Sequence, residues 1–217
     1  MQLIGWLLAF AVAITIHEAA HAWMSDKMGD PTARLMGRLS LNPIVHYDPI
    51  GTSLLLMLVF LRILGVPVIP FGWAKPVVID PFNLKNPRRD SALISLAGPT
   101  ANLVFAILAA ILIRLTYSPL SGLHFVAELL IPVVLLNVVL AIFNLIPIHP
   151  LDGGKIFVGL LPEKEAREAD LFLHRYGLII LLLLIFPSFG GVSPISTLLN
   201  PIINFILGIL LPNSILV

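Results

Sequence analysis

Polar and apolar positions along this chain separate into long blocks rather than alternating. A helix needs about 20 mostly apolar residues to cross a bilayer. Five stretches reach or approach that length: residues 2–24, 91–115, 123–147, 171–186 and 195–211. A sixth, 52–64, is shorter and carries Arg62. Polar residues gather in 25–90 and 149–175, and Pro49, Pro67, Pro147 and Pro187 sit near ends of apolar runs, where a chain turns. Residues 33–41 and 76–79 are short, partly β-branched and bounded by Gly or Pro, a pattern that predicts small strands. The expected fold is an all-α polytopic membrane protein. It has about five to six transmembrane helices, a re-entrant segment and a small β element.

Composition turns this pattern into a membrane assignment. Of 217 residues, 58% are hydrophobic and 12% charged, against roughly 45–50% and about 25% in soluble domains. The 13 Lys and Arg balance 12 Asp and Glu, which leaves no polybasic field and excludes nucleic acid as the partner. The chain has no cysteine, so disulfides, thiolate metal sites and a thiol nucleophile are excluded. A metal, if present, is held by His and carboxylate. No Lys or Arg precedes the first apolar run and no small-residue cleavage site follows it, so it reads as a retained span. Its first cation, Lys27, follows the run, which places the N-terminus outside and Lys27 in the cytoplasm.

Near the end of that first span the chain reads His17-Glu18-Ala19-Ala20-His21. On a helix, positions four apart return to within about 40° of each other and rise about 6 Å. Both imidazoles can then reach one Zn²⁺, leaving Glu18 beside a bound water as general base. Ionisable groups inside a span are costly, which makes this pentad a functional site by default.

A catalytic zinc takes a third protein ligand and keeps a position open for water. His46, His124, His149, His174 and the carboxylates are candidates. Asp152 stands out, at the end of a long apolar helix within Asn144-Leu-Ile-Pro147-Ile-His149-Pro150-Leu-Asp152-Gly153-Gly154. The prolines and glycines there suit a backbone bent to aim one carboxylate inward. An Asp-Gly turn in an ordinary loop would give the same local pattern.

His17-Glu18-x-x-His21 on a transmembrane helix, followed by Asn144-x-x-Pro147-x(4)-Asp152-Gly153, resembles the site-2 protease family of intramembrane zinc metalloproteases (peptidase family M50). Between them lie Gly37-Arg38-Leu39-Ser40-Leu41-Asn42-Pro43, His46-Tyr47-Asp48-Pro49-Ile50-Gly51-Thr52, Phe71-Gly72-Trp73-Ala74-Lys75-Pro76-Val77 and Ala97-Gly98-Pro99-Thr100-Ala101-Asn102. The resemblance covers roughly residues 10–160 in the family's order, and looks like a compact branch without PDZ or CBS domains. It implies one Zn²⁺ held by His17, His21 and Asp152, with Glu18 as catalytic base. It also implies cleavage of a peptide bond in or near a substrate's transmembrane segment. The expected organisation is one domain over 1–217, with a catalytic core at about 1–160 and C-terminal helices at 170–217. His149 departs from the pattern, standing where an apolar residue is expected.

Three ligands of one metal must share one membrane face. If 52–64 crossed fully, Asp152 would emerge opposite His21; if it is re-entrant, 91–115 and 123–147 make one round trip and the two meet. Charge agrees. Residues 25–90 and 148–175 hold eleven loop cations, and the segments 116–122 and 187–195 hold none, so the re-entrant reading puts all eleven in the cytoplasm. The expectation is a multi-pass protein of the cell membrane, with its active site towards the cytoplasm, lipid around it and a transmembrane protein as substrate. Asn102 and Asn144, amides at membrane depth, are expected to bind the substrate backbone or the oxyanion, with interhelical hydrogen bonding as the other reading. His46 and Asp48 read as a capped turn. The 66–76 stretch reads as a movable gate, and 35–41 as a strand that pairs with the substrate. A transporter or ion-binding protein is the competing class, since it too holds intramembrane carboxylates.

Overall fold

The computed structural model of the chain describes residues 2–65, 72–117, 122–186 and 193–212. In chain order its helices are α1 (Gln2–Met28), α2 (Thr32–Leu35), α3 (Gly51–Ile63), α4 (Pro87–Thr116), α5 (His124–Asn144), α6 (Asp152–Leu160), α7 (Glu163–Ile185) and α8 (Pro194–Leu210). Two short 3-10 turns, Pro43–His46 and Pro81–Asn83, interrupt the loops.

Among the described residues three helices are long and apolar enough to cross a membrane: Gly5–Met28 of α1, α4 and α5. The 17 residues of α8 rise about 25 Å and the 13 of α3 about 20 Å, short of a hydrocarbon core of about 30 Å. The 23 residues of α7 begin with Glu-Lys-Glu-Ala-Arg-Glu-Ala-Asp, which leaves only its later part apolar. Among the described residues three helices therefore meet the criterion of length and apolar composition where five to six spans were expected.

No strand occurs among the described residues. The stretch expected as a strand at 33–41 begins as the helical turn α2, and Gly37 then takes a left-handed φ of 71°. Residues 76–79 are irregular. Pro76 has no N–H for a ladder, and the N–H of Val77 is spent on the Glu18 side chain. At 76–79, local β-branching was thus overridden by a tertiary partner.

The centre of the molecule is α1, α4 and α5. Asn102 donates to the carbonyl of Ala13 and His21 to that of Ile94, so α1 and α4 run antiparallel. Gly5 packs on Pro132, and Asn102 meets Asn137, so α5 runs parallel to α1. Close approach rests on small residues at the interfaces: Ala9, Ala13, Ala97, Ala106, Ala109, Ala110, Ala127 and Ala141 are all buried. The outward faces are the reverse of a soluble protein, with Leu8, Ile107, Leu108, Leu112, Leu183 and Phe205 exposed. Helix α8 lies against α5 and α7, its C-terminal carbonyls at Ile209 and Leu210 accepting from Arg114.

Helix α3 is an excursion from one end of this bundle. The N–H of Lys75 donates to the carbonyl of His46 (2.9 Å), and that of Asp80 to Oδ2 of Asp30 (2.8 Å). The chain before α3 therefore meets the chain after it, and α4 starts at the end where α1 stopped. Asp48 caps α3, accepting from the N–H groups of Ile50 and Gly51, and buried His46 meets the Ser40 carbonyl, the capped turn expected there.

Candidate active site

Two imidazoles and a carboxylate converge between α1, α4 and the start of α6. Nε2 of His17 and Nε2 of His21 each lie 3.1 Å from Oδ2 of Asp152. They come from the sequence positions expected: His17 and His21 share a face of α1, and the turn 145–151 after α5 delivers Asp152. That turn is tight because Gly153 has no side chain, a Cβ there falling 2.2 Å from the Ile146 carbonyl oxygen.

The protons on the two rings are fixed from behind. Nδ1 of His17 donates to Oδ1 of Asn102 (2.6 Å), and Nδ1 of His21 donates to the carbonyl of Ile94 (2.7 Å). Asn102 can only accept there, because its amide nitrogen already donates to Ala13 and to Oδ1 of Asn137 (2.7 Å). Asn137 is oriented in turn by donating to the Val133 carbonyl (2.8 Å). With Nδ1 protonated on both rings, both Nε2 atoms are left as acceptors facing a carboxylate oxygen. Three acceptors without a proton between them call for a cation.

Two imidazoles and a carboxylate form a zinc donor set. Ligand atoms of a tetrahedral zinc lie roughly 3.3 Å apart at bond lengths of about 2.0–2.1 Å, close to the separation found here. Gly98 keeps the space clear: a Cβ on it would sit 2.5 Å from Nε2 of His21 and 2.8 Å from Cε1 of His17. The set fits the metal.

Glu18 is held beside the cluster, accepting from the N–H of Val77 (3.2 Å). Its residue shares a cavity of about 460 Å³ with His17, His21 and Asp152, walled by Phe10, Phe143 and the 72–79 segment. Asn144 also lines this cavity, its Nδ2 donating to the Leu140 carbonyl (3.0 Å). Asn102 does not. Expected to touch substrate, it is wholly buried and its amide is committed to His17, Ala13 and Asn137, which is the interhelical alternative. Asn137 was not singled out from the sequence, although an amide in the middle of an apolar run was the available signal. Of the expected gate, residues 66–71 lie outside the described residues; Trp73 to Val77 form a cavity wall.

The family model described as Peptidase family M50 matches residues 5–134 and 121–185. Among curated proteins, "Putative zinc metalloprotease YwhC" of Bacillus subtilis (strain 168) is 36% identical over 205 residues, covering 91% of this chain and 85% of that protein. "Putative zinc metalloprotease Rip2" of Mycolicibacterium smegmatis is 32% identical over 192 residues, with coverages of 85% and 66%. Its namesake in Mycobacterium tuberculosis H37Rv is 29% identical over 199 residues, with coverages of 88% and 69%. No solved structure matches the chain.

Proposed function

We propose that this chain, which belongs to peptidase family M50 and is a metalloprotease, is a zinc-dependent endopeptidase that cuts membrane proteins in or near their transmembrane segments. The observation that carries the reading is depth. His21 and His17 stand 7 and 11 residues before the end of α1 at Met28, about 10 and 16 Å along the helix. Asp152 reaches them from the far end of another apolar helix. A site so placed, inside apolar helices and beside a largely apolar cavity, suits a peptide bond presented within a bilayer rather than in bulk water.

His17, His21 and Asp152 would hold the zinc, with Asn102 and the Ile94 carbonyl fixing the rings. Bound there, the metal supplies Lewis-acid polarisation of the scissile carbonyl and makes an attacking water more acidic. Glu18 takes the proton of that water as its oxygen bonds to the carbonyl carbon, and returns it to the amine as the C–N bond breaks. The Val77 N–H holds Glu18 in place between the two transfers. Asn144 keeps one amide hydrogen free after bonding Leu140, and we assign it to the substrate backbone or the developing oxyanion. We assign the site to the cytoplasmic side of the cell membrane, on the charge asymmetry of the loops.

The test is cleavage of a single-span substrate by purified protein in lipid vesicles. Wild type should release two fragments, and Glu18→Gln none, with its zinc content unchanged. Substantial hydrolysis by Glu18→Gln would remove Glu18 from the role. Zinc bound without cleavage of any spanning substrate would favour an ion-binding function instead.

A further inference from the structure

A second cluster of metal-type donors lies outside the site just described. His149 Nε2 and His174 Nδ1 approach the same Oδ1 of Asp170, at 3.1 and 3.2 Å, and the two rings lie 4.4 Å apart. One donor atom from each of the three falls within 4.8 Å of the others. Asp170 and His174 are four apart on α7 and so share a face; His149 comes from the turn that leads to Asp152. We propose that His149, Asp170 and His174 form a second metal site, for a borderline transition ion such as Zn²⁺, which ties α7 to the turn carrying Asp152.

The chemistry selects the ion. Arg88, Arg89, Lys155 and Arg167 border the same cavity, of about 760 Å³, against Glu163 and Asp170. Charge alone therefore repels a dication, and Ca²⁺ or Mg²⁺, which want several oxygen ligands, find one carboxylate here. Direct coordination by two imidazoles and that carboxylate suits Zn²⁺, Co²⁺ or Ni²⁺. The cavity leaves room for a water or an anion as the fourth ligand. The one change required is at His174: its Nδ1 also meets the Asp170 carbonyl at 2.9 Å, and the exposed ring must turn to present a lone pair.

Placement gives the site a consequence. Gly177 of α7 packs directly on His149, a Cβ there falling 2.4 Å from the His149 carbonyl oxygen, and Gly154 of α6 packs on its ring, where a Cβ would meet Nδ1 at 2.6 Å. A metal on His149 thus stiffens a turn three residues from Asp152 without touching the peptidase site.

The experiment is zinc stoichiometry and titration on the full-length chain in detergent, in the Glu18→Gln background to prevent self-cleavage. Two equivalents are expected there, one after adding His174→Ala or Asp170→Asn, and one after adding His17→Ala. Excess Ca²⁺ or Mg²⁺ should not compete for the second equivalent. Binding of that equivalent should raise the thermal midpoint, and His174→Ala should abolish the rise. His174 is exposed, so its loss leaves the fold in place. One equivalent that survives His174→Ala and vanishes with His17→Ala would overturn the second site. One equivalent with the opposite pattern would instead overturn the ligand set under the proposed function.

Discussion

At the scale of single residues, the buried line Val133–Asn137–Asn102–His17 fixes the Nδ1 proton of His17 inside apolar helices, as the ligand role proposed for it requires. Removing its middle should therefore act through the metal. Asn102→Leu leaves the Nδ1 proton of His17 without an acceptor and should weaken zinc binding by about 10–100-fold, measured by competition with a chromogenic chelator, with helical content unchanged. Unaltered affinity would reduce Asn102 to packing. Gly98→Ala should be harsher, since the new methyl would sit 2.5 Å from Nε2 of His21, and zinc should be lost. Gly208→Ala, where no atom of the described residues lies within 4 Å, is its silent control. The residues proposed to react were legible because their spacing is itself the chemistry: His17, Glu18 and His21 need only helical geometry to meet. Asn102 was noticed, with interhelical bonding as one of its two readings, but its partners His17, Ala13 and Asn137 were not foreseen, and Asn137 was passed over. A buried amide announces its cost at membrane depth, but which group repays it is a tertiary fact that no local pattern encodes.

Among the elements, the clasp at Asp30 decides where the α3 excursion begins and ends. This wholly buried carboxylate accepts from Ser25 (3.0 Å), from the N–H of Asp80 (2.8 Å) and from Asn83 (2.9 Å), besides the N–H and hydroxyl of Thr32. Burial opposes its charge, but the bonds from Thr32, Asn83 and Asp80 outweigh it and lower its carboxyl to about 2. A lowered folded-state value means stability that is complete above the unfolded carboxylate range of about 3.9 and fades as pH falls towards 2. Asp30→Ala leaves several buried donors unpaired, at about 1–3 kcal/mol each in isolation. It should lower the thermal midpoint in detergent at pH 7, and the gap to wild type should narrow as acid approaches pH 3. A gap that stays constant across that range would show that the ionised carboxylate contributes nothing. The strands expected at 33–41 and 76–79 failed for a related reason. At 76–79 the Glu18 side chain of α1 claims the N–H of Val77, and at 33–41 the backbone turns on itself, the N–H of Arg38 meeting the Ala33 carbonyl; no short local run reveals either.

For the whole molecule, the membrane character was plain in composition, and the expectation that Asp152 and His21 share a face required 52–64 not to cross. The number of spans was less legible, because apolar runs such as 171–186 and 195–211 look alike whether they cross a bilayer or pack beside helices that do. The antiparallel pairing of α1 with α4, and the contacts Lys75–His46 and Asp80–Asp30, place the loop ends on one side of the bundle. Gly122, at the turn before α5, lies at the other end. The native chain contains no cysteine, so single cysteines report position without background. Cysteines replacing Lys27, Lys85 and Glu165 should react with an impermeant maleimide in inverted vesicles and not in intact cells, while one replacing Gly122 should do the reverse. Lys27 and Lys85 bracket the excursion. If they label from opposite faces, α3 and its flanks cross the bilayer, the three donor atoms cannot share one metal in the membrane, and the intramembrane reading of this site falls with them.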